Sequence, residues 1–450
     1  MQGLNLDDRQ AWTRPLPEPP DLVLVHISDI HFKSSAGTVQ DRNKDLRNEL
    51  QLDLRRQRTH VRKFDVIIVT GDIAFSGKRP EFEIASKWLD VLREQLDMRE
   101  ENILVIPGNH DVDRDTIASS KEILDLHAKL RGCDDNALQS AFADVMSKEE
   151  GQRLFDAIAE FNAFARQYGC AVHREEPFWE RDFSLHDGFR LRIRGMTSTC
   201  ISGLGDDDRA KRMILGEIQC ALRQESGVEY LTMAHHPPSW LLDQDNVQRY
   251  LNARAHIQLY GHKHEQWIEP AGKGVRVVAG AVHPERSESK WIPRYNVITL
   301  SVRKQDDARF LEVIVYPRRW SNEETCFIPD CDSRLLPIRS YSFKIEDSAP
   351  SEASSAPDRA VPSADEKLRL RYRLEMLAKD LQIRLAQQLN LQGPNDLQAD
   401  APEFADTLVR IADEQQRLED LFDLVEKYRG EVNQRENPFR KPHKEDEKDA

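Results

Sequence analysis

The sequence predicts an α/β fold over residues 21–348, followed by an α-helical segment near the C-terminus. Five short apolar runs rich in Val, Ile and Leu are typical of strands inside a sheet. Charged stretches with apolar residues at helical spacing separate the first three of these runs. After residue 348 a Ser/Ala/Pro-rich stretch leads into leucines that recur every three or four residues.

The length and composition are typical of a cytoplasmic protein with a catalytic domain, rather than of a nucleic-acid coat, a secreted protein or a membrane protein. A chain of 450 residues is long enough for one large catalytic domain and an accessory segment. Its net charge of -14 argues mildly against a general nucleic-acid coat, although a local basic patch could still bind a phosphate backbone. Six cysteines without a C-x-x-C pair indicate reduced thiols in a cytoplasmic protein. Residues 1–10 lack the apolar core of a secretory signal. The sequence contains no run of about 18 apolar residues, so we expect no membrane span.

Strands and helices alternate at the start of the chain. Residues 1–20 are polar and end in a cluster of prolines, which indicates an extended N-terminal segment. Apolar runs predict strands and leucine or aromatic spacing predicts helices, in the order strand 21–27, helix 41–63, strand 65–70, helix 80–98 and strand 103–106. Pro107 and Gly108 end the third strand, because proline cannot donate to a ladder and glycine permits a sharp turn.

The middle of the chain is predicted to be helical first and then rich in strands. Residues 115–168 show no obvious strand, so we expect a helical insertion of two or three helices over one edge of the domain. The alternating R-L-R-I-R at 190–194 predicts a half-buried strand. Further strands are expected at 230–234, 257–260, 275–278, 295–300 and 311–316.

The C-terminal part is predicted to form a separate helical module. Residues 349–364 have the composition of a linker, and a capping box formed by Ser363 and Glu366 starts a helix that ends at Gly393. A second amphipathic helix is expected over about 402–429, giving a helical hairpin within 365–430 and a disordered charged tail at 431–450. The pair of helices either packs on the catalytic domain or forms a docking module that recruits a protein partner or self-associates.

Residues of metal-binding type follow five of the predicted strands. They are Asp29 and His31, Asp72, Asn109 and His110, His235, and His262 and His264. We expect the D-x-H and H-x-H pairs to present both side chains on one side of an extended turn, because strand side chains alternate. Two divalent ions about 3.5–4 Å apart require a bridging carboxylate and several imidazoles, and this series supplies both.

The motifs S-D-I-H-F, G-D, G-N-H-D-V-D, H-H-P-P and G-H-K-H resemble those of the calcineurin-like metallophosphoesterase superfamily, in particular its bacterial phosphodiesterase-type members. The resemblance covers roughly residues 21–300 and implies a four-layer α-β-β-α sandwich of two mixed sheets. It also implies seven metal ligands: Asp29, His31 and His264 for the first ion, Asn109, His235 and His262 for the second, and Asp72 as the bridging carboxylate. His110 would protonate the leaving group, and Asp111 would orient His110.

The implied activity is hydrolysis of a phosphodiester in a nucleotide or a nucleic acid, by a hydroxide that bridges two metal ions. Aspartate, asparagine and histidine suit Mn, Fe, Zn, Ni or Co, of which Mn or Fe is favoured. Two alternatives stay open. One is a phosphoprotein or phosphomonoester phosphatase, and the other is a regulatory module that senses a phosphorylated ligand and signals through its C-terminal helices.

Several residues near the motifs have open assignments. His236 adjoins His235, and either could be the ligand; the family pattern favours His235 and leaves His236 near the substrate. Lys263 is expected to point to solvent, and His283 either lines the pocket or lies in an ordinary loop. A basic run on the first predicted helix is interpreted as a solvated face; its members are Arg55, Arg56, Arg58, Arg62 and Lys63.

Overall fold

A computed structural model describes residues 18–36, 41, 43–203, 213–284, 292–306 and 308–346, and then 367, 370–371, 373–374, 377, 379–391 and 404–428. The chain divides into two compact units, Met1–Glu352 and Ala353–Ala450. Residues 1–17, the predicted linker at 349–364 and the predicted tail at 431–450 lie outside the described residues.

The first unit contains thirteen strands within its described residues. In chain order they are β1 (Leu22–Ile27), β2 (Val66–Val69), β3 (Ile103–Val105), β4 (Phe178–Ser184), β5 (Arg190–Met196), β6 (Val228–Met233), β7 (Ala255–Tyr260), β8 (Trp267–Ala271), β9 (Gly274–Val278), β10 (Arg294–Gln305), β11 (Ala308–Ser321), β12 (Cys326–Pro329) and β13 (Arg339–Ile345). The central strands β1, β2, β3 and β7 are buried on both faces. The sequences of β2 and β3 are accordingly continuous apolar runs, whereas β1 and β7 also bury polar side chains.

The strands form two mixed sheets. The first sheet has the order β12-β11-β10-β1-β2-β3, with β13 also paired to β11, and the second has the order β4-β5-β6-β7-β9-β8. β1, β2 and β3 run parallel in the first sheet, and β5, β6, β7 and β9 run parallel in the second. Together with the flanking helices, this arrangement confirms the α/β fold of two mixed sheets.

The region predicted as a helical insertion contains more helices than expected. The helices of the first unit are α1 (Lys44–Val61), α2 (Arg79–Leu96), α3 (Arg114–Ser119), α4 (Lys121–Arg131), α5 (Asp135–Ser147), α6 (Arg153–Asp156), α7 (Ala159–Ala165), α8 (Glu217–Cys220) and α9 (Gln244–Arg254). Five of them, α3 to α7, replace the two or three predicted over 115–168. Local caps divide the region: Ser120 Oγ accepts the N–H of Ile123 at the start of α4, and Gly132 ends that helix.

Four strands were not predicted, namely β4, β8, β12 and β13. Their sequences carry charged or proline residues at exposed positions, as in the Pro270-containing β8 and in β4, F-W-E-R-D-F-S. β4 lies at an edge of the second sheet, where charged residues are tolerated on the strand. Apolar periodicity therefore gave no signal for these edge strands.

A buried ion pair fastens α1 to the first sheet. The Arg318 guanidinium on β11 donates to both carboxylate oxygens of Asp53, over 2.8 and 2.7 Å, and the Tyr295 hydroxyl on β10 donates to the same carboxylate. The basic run on α1 lies elsewhere, with Arg55 and Arg56 exposed, as expected for a solvated face.

The second unit has its own apolar core. Leu374, Leu385, Leu408 and Leu421 are among its fully buried residues. The described helices are Lys379–Gln388, Phe404–Glu414 and Leu418–Tyr428, so the single helix predicted over about 402–429 was wrong.

The break in the second unit has a local cause. Gln416 has a left-handed backbone, and the N–H of Arg417 donates to the carbonyl of Ala412, which is the closure that commonly ends helices. The predicted helix start at Ser363 and end at Gly393 lie outside the described residues. None of the helices in the part of the chain that the structure describes has the length and apolar content needed to cross a bilayer.

Candidate metal centre

The carboxyl ends of parallel strands from both sheets bring the candidate ligands together. Asp29 and His31 follow β1, Asp72 follows β2, Asn109 and His110 follow β3, His235 follows β6, and His262 and His264 follow β7. Four groups of three among the described residues have potential ligand atoms within 4.8 Å of one another: Asp29, His31 and His264; Asp29, Asp72 and His235; His31, Asp72 and His110; and His235, His236 and His262.

Asp72 lies between the two predicted ligand sets. Its Oδ2 is 3.3 Å from Nε2 of His235 and 4.0 Å from Nε2 of His31. Its Oδ1 accepts a 2.7 Å hydrogen bond from the backbone N–H of His110, which holds the carboxylate in this orientation. This is the placement that a bridging carboxylate requires.

The hydrogen bonds of His235 favour metal binding through Nε2. Its Nδ1 lies 2.7 Å from the Thr70 carbonyl oxygen, which can only accept, so Nδ1 carries a proton. Without a second proton on the ring, Nε2 is then a lone pair facing the Asp72 carboxylate and, at 3.1 Å, the Asn109 amide oxygen. Nδ1 of His262 lies 3.0 Å from the same amide oxygen. Lone pairs that face one another need a proton or a cation between them. The nitrogen and oxygen atoms gathered here therefore fit a bound metal ion.

The charge states of the buried groups agree with this chemistry. Burial would raise the pKa of Asp29, but the hydrogen bond and the charge of His264 lower it to about 2. Burial lowers the pKa of His31 to about 4 and that of His262 to about 3. Both rings are therefore neutral, and each has a nitrogen lone pair that a metal ion can bind. For His235, burial lowers the pKa but the Asp72 charge outweighs it and raises the value to about 9. The Asp72 carboxylate thus favours positive charge at Nε2 of His235, which a bound cation would also supply.

The backbone at five of the seven candidate ligands is left-handed rather than extended. Asp29, His31, Asp72, His262 and His264 have φ angles between 52° and 73°. Our expectation of an extended turn was therefore wrong for the D-x-H and H-x-H pairs. Left-handed conformations are unfavourable for residues with a Cβ, and their concentration at strand ends is typical of functional sites.

Two glycines allow the strand ends to approach closely. A Cβ at Gly108 would overlap the backbone and carboxylate of Asp72. Gly71 has a φ of 91°, and a Cβ there would come within 2.6 Å of Nδ1 of His235. The G-D and G-N-H-D motifs thus need glycine because the ligands of neighbouring strands occupy the space of a side chain.

Among the described residues the Asp111 carboxylate makes no hydrogen bond to the ring of His110, so the structure shows no direct contact for the expected orienting role. This carboxylate accepts three backbone N–H groups, from Ala74 at 2.7 Å, Gly108 at 2.8 Å and Ile73 at 3.2 Å. Asp111 therefore fastens the turn after β2 to the turn after β3. Burial and the like charge of Asp72 raise its pKa to about 8, against the three N–H groups that lower it. Nδ1 of His110 instead lies 2.8 Å from the Phe75 carbonyl oxygen.

Other residues near the centre could not be assigned from motifs. Trp240 packs edge-on against His262, with ring centroids 4.2 Å apart. Ser198 contacts the ring of His236, although nothing in its sequence neighbourhood indicates a site. His283 is buried beside the first strand end, with Nδ1 2.6 Å from the Ile30 carbonyl. Lys263, expected to point to solvent, packs its ammonium over the Trp267 ring at 4.5 Å.

Solved structures similar to this chain show only weak likeness. Vps29 from Entamoeba histolytica in complex with zinc is 10% identical, with a TM-score of 0.29, over 72% of this chain and 99% of that chain. GAP50 of Plasmodium is 9% identical, with a TM-score of 0.35, over 73% of this chain and 90% of that chain. Scores of this size carry no argument about fold or activity.

Sequence comparisons are more informative. A curated relative, the glycerophosphodiester phosphodiesterase GpdQ of Enterobacter lignolyticus, is 35% identical over 96 residues, which make up 20% of this chain and 30% of the relative. The match thus spans less than a third of that protein. A family model described as calcineurin-like phosphoesterase matches residues 22–266, more than half of the chain and all of the strand ends described above. This chain belongs to the calcineurin-like phosphoesterase family.

Proposed function

We propose that the chain hydrolyses a phosphodiester of a nucleotide or a nucleic acid at a centre that binds two divalent cations. The observation that carries the proposal is the position of Asp72 between two groups of His and Asp side chains. Asp29, His31 and His264 would hold one cation, Asn109, His235 and His262 the other, and Asp72 both. When bound, two such ions lower the pKa of water and neutralise charge on phosphoryl oxygens, with Mn or Fe favoured.

His110 is proposed to donate the proton that the leaving oxygen needs. Its ring lies next to that of His31, with centroids 4.6 Å apart, and the Phe75 carbonyl accepts from Nδ1. A carbonyl at Nδ1 fixes the orientation of the ring and leaves Nε2 as the nitrogen that would carry the transferred proton. The backbone N–H of the same residue holds Asp72, which ties the acid to the metal-binding carboxylate.

The preference for a diester is supported by the partial match to a protein named as a phosphodiesterase. The H-H-P-P and G-N-H-D-V-D motifs also resemble phosphodiesterase-type members more than phosphoprotein phosphatases. Hydrolysis of a phosphomonoester or a phosphopeptide is the alternative for the same centre. Diester and monoester hydrolysis are distinguished by supplying metal-stripped protein with Mn²⁺ and measuring the rates at which it hydrolyses bis-p-nitrophenyl phosphate and p-nitrophenyl phosphate. Faster turnover of the monoester would contradict the diester proposal.

Replacing His110 with alanine tests the proposed acid. We expect kcat for the diester to fall about a hundred- to ten-thousandfold, because general acid catalysis contributes about that much. The manganese content should not change, since the ring is not a proposed ligand. His173→Ala is the matched control, because the side chain of this histidine is 44% exposed and pairs only with Glu176 in the described residues. Loss of manganese from His110→Ala would contradict the assignment and make the residue a ligand.

The C-terminal unit is proposed to be a docking module that is not needed for catalysis. Its own buried core supports this proposal, because helices that bury their apolar faces against one another need no support from another domain. A chain that ends at residue 348 should keep kcat within about twofold and keep its unfolding temperature within about 2 °C of the corresponding full-length transition. Aggregation or inactivity of the shortened chain would show that the helices belong to the catalytic fold.

A further inference from the structure

Ser198 and His236 form a buried pair beside the proposed metal centre. Ser198 lies two residues after β5, and His236 follows the proposed ligand His235. Both residues are completely buried. The end of β5 therefore also contributes a side chain beside the proposed metal centre, although the motifs predicted no role for it.

The hydrogen bonds of the pair determine where the proton of His236 lies. The backbone N–H of His236 donates to Ser198 Oγ over 3.2 Å, and Oγ lies 2.8 Å from Nδ1 of the same histidine. The described residues offer the Ser198 proton no other acceptor, so the tautomer that satisfies the serine is the one in which the hydroxyl donates to Nδ1. The neutral ring then carries its proton on Nε2.

This Nε2–H group makes no hydrogen bond within the described residues, although it is fully buried. A buried N–H without an acceptor costs about 1–3 kcal/mol, so such a group in a native structure calls for a ligand. One ring nitrogen of His236 lies within 4.8 Å of the potential ligand atoms of His235 and His262, and Nδ1 is the nitrogen that Ser198 contacts. The donor is therefore aimed into the centre.

His236 and His110 lie beside different candidate ligands of the centre. Its ring is 4.5 Å from that of His262 and 4.8 Å from that of His235, whereas the His110 ring is 4.6 Å from that of His31. Each of the two proposed ligand sets thus has one neighbouring histidine that is not itself a proposed ligand. His235 and His236 also differ chemically, because a carbonyl holds Nδ1–H in the first and a hydroxyl donates to Nδ1 in the second.

We infer that His236 binds a phosphoryl oxygen of the substrate through Nε2–H, and that Ser198 is the positioning residue that keeps the proton on that nitrogen. The inference rests on the proposed phosphoesterase function. A phosphoryl oxygen is an anionic acceptor, which suits a buried donor in a centre whose remaining groups bind cations. The site accepts any phosphate ester, and inorganic phosphate is its simplest probe.

The test measures phosphate binding and metal content on the full-length chain loaded with Mn²⁺. His236→Phe keeps a flat ring and removes both nitrogens, and His236→Gln restores an N–H donor of similar reach. We expect His236→Phe to weaken inorganic phosphate binding, measured by calorimetry, about ten- to hundredfold with the manganese content unchanged. His236→Gln should recover part of this loss.

Ser198→Ala is the second arm and creates only a small change in the core. It should weaken phosphate binding about three- to tenfold in the native chain but have no further effect in the His236→Phe background, because Ser198 acts through the ring. Ser198→Thr keeps the hydroxyl and should restore binding. An effect of Ser198→Ala that is equal in both backgrounds would overturn the positioning role.

The remaining outcomes are distinct. Loss of manganese from His236→Phe would make this residue a metal ligand and overturn the inference. Unchanged phosphate affinity in both His236→Phe and Ser198→Ala would do the same. A native chain that binds phosphate through His236 but hydrolyses neither test ester would defeat the proposed function and leave the phosphate site in place.

Discussion

Replacing Asp72 with asparagine is expected to abolish metal-dependent diester hydrolysis, with a fall in kcat/KM of about a thousandfold or more. The substitution removes the negative charge that lies between the His31 and His235 imidazoles. A neutral amide cannot hold two cations against their mutual repulsion. At least one of two manganese ions per chain should be lost, as measured by metal analysis of the purified variant.

The fold of the Asp72→Asn variant is expected to persist. The amide oxygen can still accept the N–H of His110, so the bond that links the turns after β2 and β3 is kept. Far-UV circular dichroism and the unfolding midpoint check this point. Asp115→Asn is the matched control, because that carboxylate is exposed and pairs with Lys78. Full turnover with two manganese ions in Asp72→Asn would show that another group bridges the metals.

The clustering of the candidate ligands could be predicted because the fold places their strand ends at common edges. Parallel strands such as β1, β2 and β3 carry their carboxyl ends to one side, so residues far apart in sequence meet there. What could not be predicted was the local backbone. The pairs Asp29/His31 and His262/His264 were expected to be extended, but all four residues are left-handed. Alternation along a strand does not apply once the strand has ended.

The choice between His235 and His236 also needed the structure. Their order in H-H-P-P does not say which ring meets a carbonyl and which meets a hydroxyl. Thr70 and Ser198 provide that distinction, and they lie 165 and 38 residues away from their partners. Such contacts depend on the register of β2 and β5 against their neighbours, which single-sequence patterns do not encode.

The hydrogen bonds of Asp111 also could not be predicted from the sequence, and they lead us to expect a large loss of stability when this residue is replaced. Asp111→Ala removes the acceptor of three buried N–H groups, each of which costs about 1–3 kcal/mol when it is left unpaired. We expect the free energy of unfolding of the metal-free chain to fall by about 5 kcal/mol, which is a large part of the stability of an ordinary domain. Urea unfolding of the metal-free variant and the native chain measures this difference.

This result separates two roles for one carboxylate. If Asp111 oriented the His110 ring, Asp111→Ala would resemble His110→Ala, with normal stability and slow turnover. If Asp111 joins the two turns, stability and metal binding should both decline, because Asp72 and Asn109 lie on the segments that it connects. Asp111→Asn sharpens the comparison, since its amide oxygen can still accept from one or two of the N–H groups. Its stability should fall between those of the native chain and Asp111→Ala, and a stable but inactive Asp111→Ala would refute the structural role.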